Sequence, residues 1–222
     1  MKNLVCLLLW MLPVFAWAGP KAIGNVEMKN GNSYTNAEVE IPAGTMEEFK
    51  IKVDGKKMKI QSADVESLLL WHAANPDKKY LMKYADRREI DYDNNVDKLE
   101  ELKKWFVLFA PGDNVSVWIY AGGINISKNS INMSPVDTRY GYNTFYNFWK
   151  EGESCPIFMK FNRKREVMEK WLSTFFADDS RMAAKILNGD YRAQSTKDSR
   201  RHGTMLCPIL VEKIADDYFP MR

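Results

Sequence analysis

The chain has 222 residues, 45% hydrophobic and 13% aromatic, with 32 basic against 29 acidic side chains and a formal charge of +3. That length and composition fit one sizeable domain, or one domain with an appendage, burying an ordinary globular core. A charge so near balance excludes a mainly electrostatic nucleic-acid binder. The clusters Lys78-Lys79, Arg87-Arg88, Arg163-Lys164-Arg165 and Arg200-Arg201 are each followed or flanked by acids and read as solvated faces.

Residues 1–18 read as a secretory signal. Lys2 gives a positive start, LVCLLLWMLPVF is an apolar run too short to span a bilayer, and Ala16-Trp17-Ala18 offers small residues for cleavage before Gly19. Cys6 stands too early in that run, after Asn3-Leu4-Val5, for a lipoprotein signal. No later segment carries the apolar length of a spanning helix, so the mature chain is expected to be exported, in the periplasm, at the cell surface or outside the cell.

The first half is patterned for strands. KAIGNVEMK leads into the hairpin signal Asn30-Gly31, and NAEVEI puts Ala37, Val39 and Ile41 on one face. FKIKV alternates Phe49, Ile51 and Val53 with lysines, Asp54-Gly55 turns, and KMKI returns with Met58 and Ile60. SADVESLLLW reads as a turn entering a strand, ended by Asn75-Pro76-Asp77. KYLMKYADRREIDYD is expected to be a strand pair broken near Asp86. DKLEELKKW, acids first and lysines last, is expected to form a short helix. WFVLFA ends at the turn Pro111-Gly112-Asp113-Asn114. VSVWIY alternates, INIS and INM follow Gly122-Gly123, and a loop at Glu151–Ser154 precedes the strand CPIFMKF.

After Asn162 the period becomes helical. Val167, Met168, Trp171, Leu172, Phe175 and Phe176 form one stripe. A second helix begins at Asp178-Asp179-Ser180, carries Met182, Ala183, Ile186 and Leu187, and stops at Asn188-Gly189. A last helix follows Cys207 and Pro208, with Leu206, Leu210, Ile214 and Tyr218 in register. The expected fold is α+β: an antiparallel β-sheet or small open barrel over residues 19–161, then two or three C-terminal helices in residues 162–222, packed on the sheet.

Residue types suited to catalysis are few. His72 and His202 lack the spacing of a metal site or triad; His72 is expected to be packed or solvent-facing at a strand end, and His202 exposed in a polar loop. No phosphate-binding loop, dinucleotide fingerprint or nucleophile elbow occurs, and no metal or cofactor is expected. His202 with Cys207 lacks a third, orienting group. The pairs Asp91 and Asp93, Asp178 and Asp179, and Asp216 and Asp217 read as caps and solubilising charges. Asp91-Tyr92-Asp93-Asn94-Asn95 lacks the glycine and closing Glu of a calcium loop. Cys155 and Cys207 read either as a disulfide, closing a loop of about 53 residues for about 4 kcal/mol in the chain-entropy model, or as two unrelated buried thiols.

RYGYNTFYNFW, residues 139–149, is the densest aromatic stretch. As a strand it sets Tyr140, Tyr142, Tyr146 and Phe148 on one face, and Phe145 and Trp149 with Asn143 and Asn147 on the other. An exposed first face would stack sugar rings or meet a protein partner. Rings and amides diverge, however, which favours tyrosines that roof the core.

Two ends of the chain carry a resemblance. GNVEMKNGNSYTNAEVEIP with FKIKVDGKKMKIQSADVESL, and FFADDSRMAAKILNGDYRA with LCPILVEKIADDYF, resemble the opening and closing segments of uncharacterised exported proteins of Bacteroides-type bacteria. The resemblance implies a β-rich exported domain with a helical tail and carries over no catalytic residue. The expectation is an exported, non-catalytic binding or cell-envelope accessory protein, its partner an envelope protein or a saccharide. The alternative is a secreted hydrolase using carboxylates on polysaccharide or peptidoglycan.

Overall fold

A computed structural model describes residues 21–91, 95–128, 131–134, 146–159, 165–192 and 209–220. Among these residues twelve strands run in chain order: β1 Lys21–Met28, β2 Ser33–Glu40, β3 Glu48–Val53, β4 Lys56–Gln61, β5 Val65–His72, β6 Asn75–Asp91, β7 Val96–Ala110, β8 Val115–Tyr120, β9 Gly123–Ile126, β10 Ile131–Ser134, β11 Tyr146–Lys150 and β12 Ile157–Met159. Three helices follow among the described residues, α1 Arg165–Phe175, α2 Ser180–Asn188 and α3 Val211–Asp217. The fold is α+β, with the helices after the strands.

Ten strands lie in the order β12-β11-β8-β7-β6-β5-β1-β2-β3-β4, and a further pairing of β12 with β6 closes five of them into a barrel. That closing pair is parallel, Ile157 opposite Arg88 and Met159 opposite Ile90, while the other pairings are antiparallel. A meander of five strands must close on one parallel pair, because an odd number of alternating strands brings first and last together in the same direction.

The first two marked hairpin turns form where the sequence places them, but the β5–β6 turn falls at Ala73-Ala74, and Asn75-Pro76-Asp77, expected to end the strand, opens β6 instead. Gly31 at φ 86°, and Asp54 and Gly55 at φ 48° and 79°, supply the positive φ that tight hairpins need. Ala37, Val39, Phe49, Ile51 and Ile60 are buried, so β2, β3 and β4 turn one face to a core shared with Val65, Leu68, Leu70 and Trp105. Ser62–Asp64 is a single 3₁₀ turn leading into β5.

Two segments differ from the sequence reading. KYLMKYADRREID is not a broken pair but part of one 17-residue strand, β6, whose register with β7 shifts around Asp86. DKLEELKKW is not a helix but the first half of β7. Its charges satisfy each other across strands instead: Lys98 opposes Glu89 and Glu100 opposes Arg87. The buried second half, Trp105 to Val107, fixes the hairpin, and pairing then extends outward over the local helical preference.

The helices cover the outer face of β8 and β11. Val117, Ile119, Tyr146 and Phe148 pack with Met168, Leu172, Phe176, Met182, Ile186 and Ile214. The Asp179 carboxylate caps α2 by accepting from the Met182 N–H at 2.9 Å, and Gly189 ends it at φ 82°. Of the α1 stripe, Met168, Trp171, Leu172 and Phe176 are buried and Val167 and Phe175 half-buried, but Leu187 of α2 is 55% exposed. The last helix begins later than expected, at Val211, with Leu210 as its cap. Cys207, Pro208 and the expected cap Asn162 lie outside the described residues. No helix among the described residues is long and apolar enough to cross a membrane.

Candidate functional site

The inward face of the barrel is built by alternation along its strands. Ala85, Arg87 and Glu89 of β6, Lys104 and Phe106 of β7, Trp118 of β8, Asn147 of β11 and Phe158 of β12 are all buried. Deep in this interior Arg87 donates to Glu100 twice, Nε to Oε2 at 3.1 Å and Nη2 to Oε1 at 2.8 Å, and Lys104 Nζ also donates to Glu100. Burial pushes the Glu100 carboxyl up, but the hydrogen bonds from Arg87 and Lys104 outweigh it and hold the group at about 2. Arg87 also lies 4.6 Å from the Phe158 ring centroid, and Lys104 Nζ 5.7 Å from that of Tyr120. The buried Glu89 faces Lys98 at 3.3 Å, an ion contact in which Oε2 makes no hydrogen bond. These interior charges are held as ion pairs.

Toward one end the interior becomes aromatic and opens. Trp118 and Trp149 stand with ring centroids 5.4 Å apart and planes at 58°, beside a cleft of about 300 Å³. Trp118 is buried and Trp149 half-buried. Each indole N–H is already engaged, Trp118 Nε1 with Ser116 Oγ at 2.7 Å and Trp149 Nε1 with the Glu153 carbonyl at 2.9 Å. The rings are therefore fixed by their edges; Trp149 offers π surface to the cleft and the buried Trp118 backs it. Lys83 Nζ lies 5.3 Å from the Trp149 centroid, and Asp113, Asn114, Glu151 and Glu153 complete a polar lining.

The cleft wall is anchored to the helices. Lys150 Nζ donates to the Phe175 carbonyl and to both oxygens of Asp178, each at 2.9 Å, and stands over the Phe175 ring at 4.5 Å. Tyr218 donates to Asp178, and Asn114 Nδ2 donates to the Tyr218 carbonyl at 3.2 Å. Burial raises the Asp178 carboxyl, yet the Tyr218 and Lys150 hydrogen bonds bring it below its ordinary value. Tyr218 is in turn driven up, by burial first and then by its carboxylate partner. Gly112 makes the wall close-fitting: a Cβ there would stand 2.3 Å from the Val115 oxygen and 2.5 Å from the Ala215 oxygen.

The residues singled out in the aromatic stretch fall elsewhere. Tyr146 is 1% exposed, its ring 5.1 Å from that of Phe109, and Phe148 is fully buried against Phe175 and Phe176. Neither offers a surface, because β11 turns this face to the helices; Tyr140 and Tyr142 lie outside the described residues. The same strand sends Asn147 and Trp149 the other way, so Trp149 is the ring that reaches the cleft. Trp118 and Lys83 went unremarked in the sequence, although the alternation of VSVWIY already sets Ser116 and Trp118 opposite Val115, Val117 and Ile119.

Cys155 is a free, buried thiol, and Cys207, its suggested partner, lies outside the described residues. His72 is half-buried, its Nδ1 accepting from the Ala74 N–H at 3.1 Å, and His202 lies outside the described residues. Among the described residues no three metal-ligating side chains gather. Compared with known proteins, the chain matches no family model, no curated protein and no solved structure.

Proposed function

We propose that this chain is an exported cell-envelope accessory protein that binds a saccharide, without transforming it, in the cleft at the barrel mouth. The leader-like residues 1–18 support export. The observation that carries the binding reading is the pair Trp118 and Trp149, edge-fixed by hydrogen bonds and set beside carboxylate and amide groups in one cleft. An apolar sugar face gains area against an indole while its hydroxyls need acceptors and donors, and this lining supplies both.

A second reading, a carboxylate-dependent hydrolase of polysaccharide or peptidoglycan, is favoured by one observation: Asp113, Glu151 and Glu153 line the same cleft. Sedimentation with insoluble polysaccharides and with peptidoglycan sacculi tests the two together. The binding reading expects the protein to pellet with one of them and release no soluble sugar. Released sugar, abolished by Glu153→Gln or Asp113→Asn, favours the hydrolase, and failure to pellet with any of them counts against both.

A further inference from the structure

On the face of β3 and β4 turned away from their core, four lysines form a square. Lys50 stands opposite Lys59, and Lys52 opposite Lys57, as direct cross-strand partners. The other side of the same strands carries Phe49, Ile51 and Ile60 into the core, so alternation turns all four lysines outward. Like charges set directly opposite on a sheet face destabilise it. Only half of this charge is answered: Lys52 Nζ meets Glu38 at 3.0 Å and Lys59 Nζ meets Glu48 at 2.8 Å. Lys50 and Lys57 are exposed; Lys50 acts on Glu48 at longer range, where Lys59 already makes the close ion contact.

Edge protection accounts for part of this arrangement. β4 is the last strand of the sheet, and lysines on an edge strand deter the addition of another chain. That explains Lys57 and Lys59. It does not explain Lys50 and Lys52, because β3 is paired on both sides, to β2 and to β4.

We propose that this lysine square is a docking surface for an anionic lipid headgroup layer, through which the protein rests on a membrane face. Neighbouring lysines along a strand are about 7 Å apart, inside the screening length of about 8 Å at physiological salt, so their attractions to a charged plane add. The four lysines project from one face of the sheet, and no aromatic ring shares that face of β3 or β4. A plane of headgroups matches such a surface, whereas a sugar chain would be better served by a walled, ring-lined groove. The assignment is independent of what the cleft holds.

Sedimentation with vesicles of phosphatidylcholine alone, or mixed with phosphatidylglycerol, tests it. Binding is expected only with phosphatidylglycerol present, and it weakens as sodium chloride is added. Each lysine near such a surface contributes roughly fivefold, so Lys50→Gln with Lys57→Gln weakens binding by at least about tenfold. The charge-matched variant Lys103→Gln with Lys170→Gln stays within about twofold of the parent. Relief of like-charge opposition leaves the thermal midpoint of the first variant equal to or above that of the parent. Any of four results overturns the proposal: no preference for phosphatidylglycerol, an equal loss in the charge-matched variant, a lowered midpoint in the first variant, or displacement by inorganic phosphate beyond that of sodium chloride at equal ionic strength.

Discussion

Arg87 and Glu100 meet as a two-pronged ion pair inside the barrel, where the Arg87 side chain has no exposed surface and that of Glu100 is 12% exposed. Lys104, 2% exposed, joins them on the same carboxylate. Two cations around one anion, enclosed by Phe158 and Tyr120, hold the β6–β7 hairpin in register at the point where its pairing shifts.

Removing Arg87 strips the buried Glu100 carboxylate of its two-pronged partner and leaves Lys104 as its remaining cation. Arg87→Met should lower stability by about 3–5 kcal/mol, read as a reduced urea midpoint at unchanged slope. Replacing the trio together, as Arg87→Met, Glu100→Leu and Lys104→Met, should recover most of that loss. A triple variant no more stable than the single one would show that the charges do more than compensate each other.

The same carboxylate sets an acid dependence. Glu100 is held at about 2 in the folded chain against an ordinary 4.5, so the unfolded chain binds more protons between these values. Its contribution is complete above pH 4.5 and declines as the pH falls toward 2. Asp178 is also depressed and loses its contribution in the same direction. Urea midpoints taken across this range should fall with acid in the parent chain and fall less steeply in Glu100→Gln, which starts lower at neutral pH.

Much of this arrangement could be read from the residues. The alternation in FKIKV and KMKI, with Asn30-Gly31 and Asp54-Gly55 between strands, fixes β1 to β4 because Phe49, Ile51 and Ile60 fill a core on one face, although Met58, read with Ile60, stays 36% exposed at the sheet edge. The stripe from Val167 to Phe176 does the same for α1. DKLEELKKW misleads for a physical reason: its i,i+4 pair Glu100–Lys104 does form, but across an irregular strand pairing that only the distant Arg87 makes favourable. Tyr146 and Phe148 were correctly separated from Asn147 and Trp149 by period two. Which of those faces meets a cleft depends on barrel closure, and closure rests on a three-residue parallel contact between β12 and β6 with no signature in local pattern.

Gly112 offers a direct probe of the cleft wall. Any Cβ at this position runs into the backbone oxygens of Val115 and Ala215, both on elements that cannot yield independently. Gly112→Ala should cost about 1–3 kcal/mol by forcing the turn away from α3. A thermal midpoint equal to that of the parent would show that the turn is looser than this contact implies.

Cys155 should behave as an inert thiol. Burial raises it, and the nearby Asp86 and Glu153 carboxylates add to the effect. At neutral pH a thiol-specific chromogenic reagent should modify Cys155 at least about tenfold more slowly in the folded chain than in urea. Equal rates would mean that the Cys155 thiol is accessible in the folded chain.

The cleft itself is tested most directly by calorimetric titration of the chain with soluble peptidoglycan and polysaccharide fragments, followed by mass analysis of the recovered sugar. Saturable binding of at least one fragment is expected, with the fragment recovered intact. Trp149→Ala should weaken it by at least about fivefold while the circular dichroism of the fold is retained. Binding that survives Trp149→Ala unchanged, or a fragment recovered cleaved, would contradict non-catalytic recognition at the Trp118–Trp149 cleft.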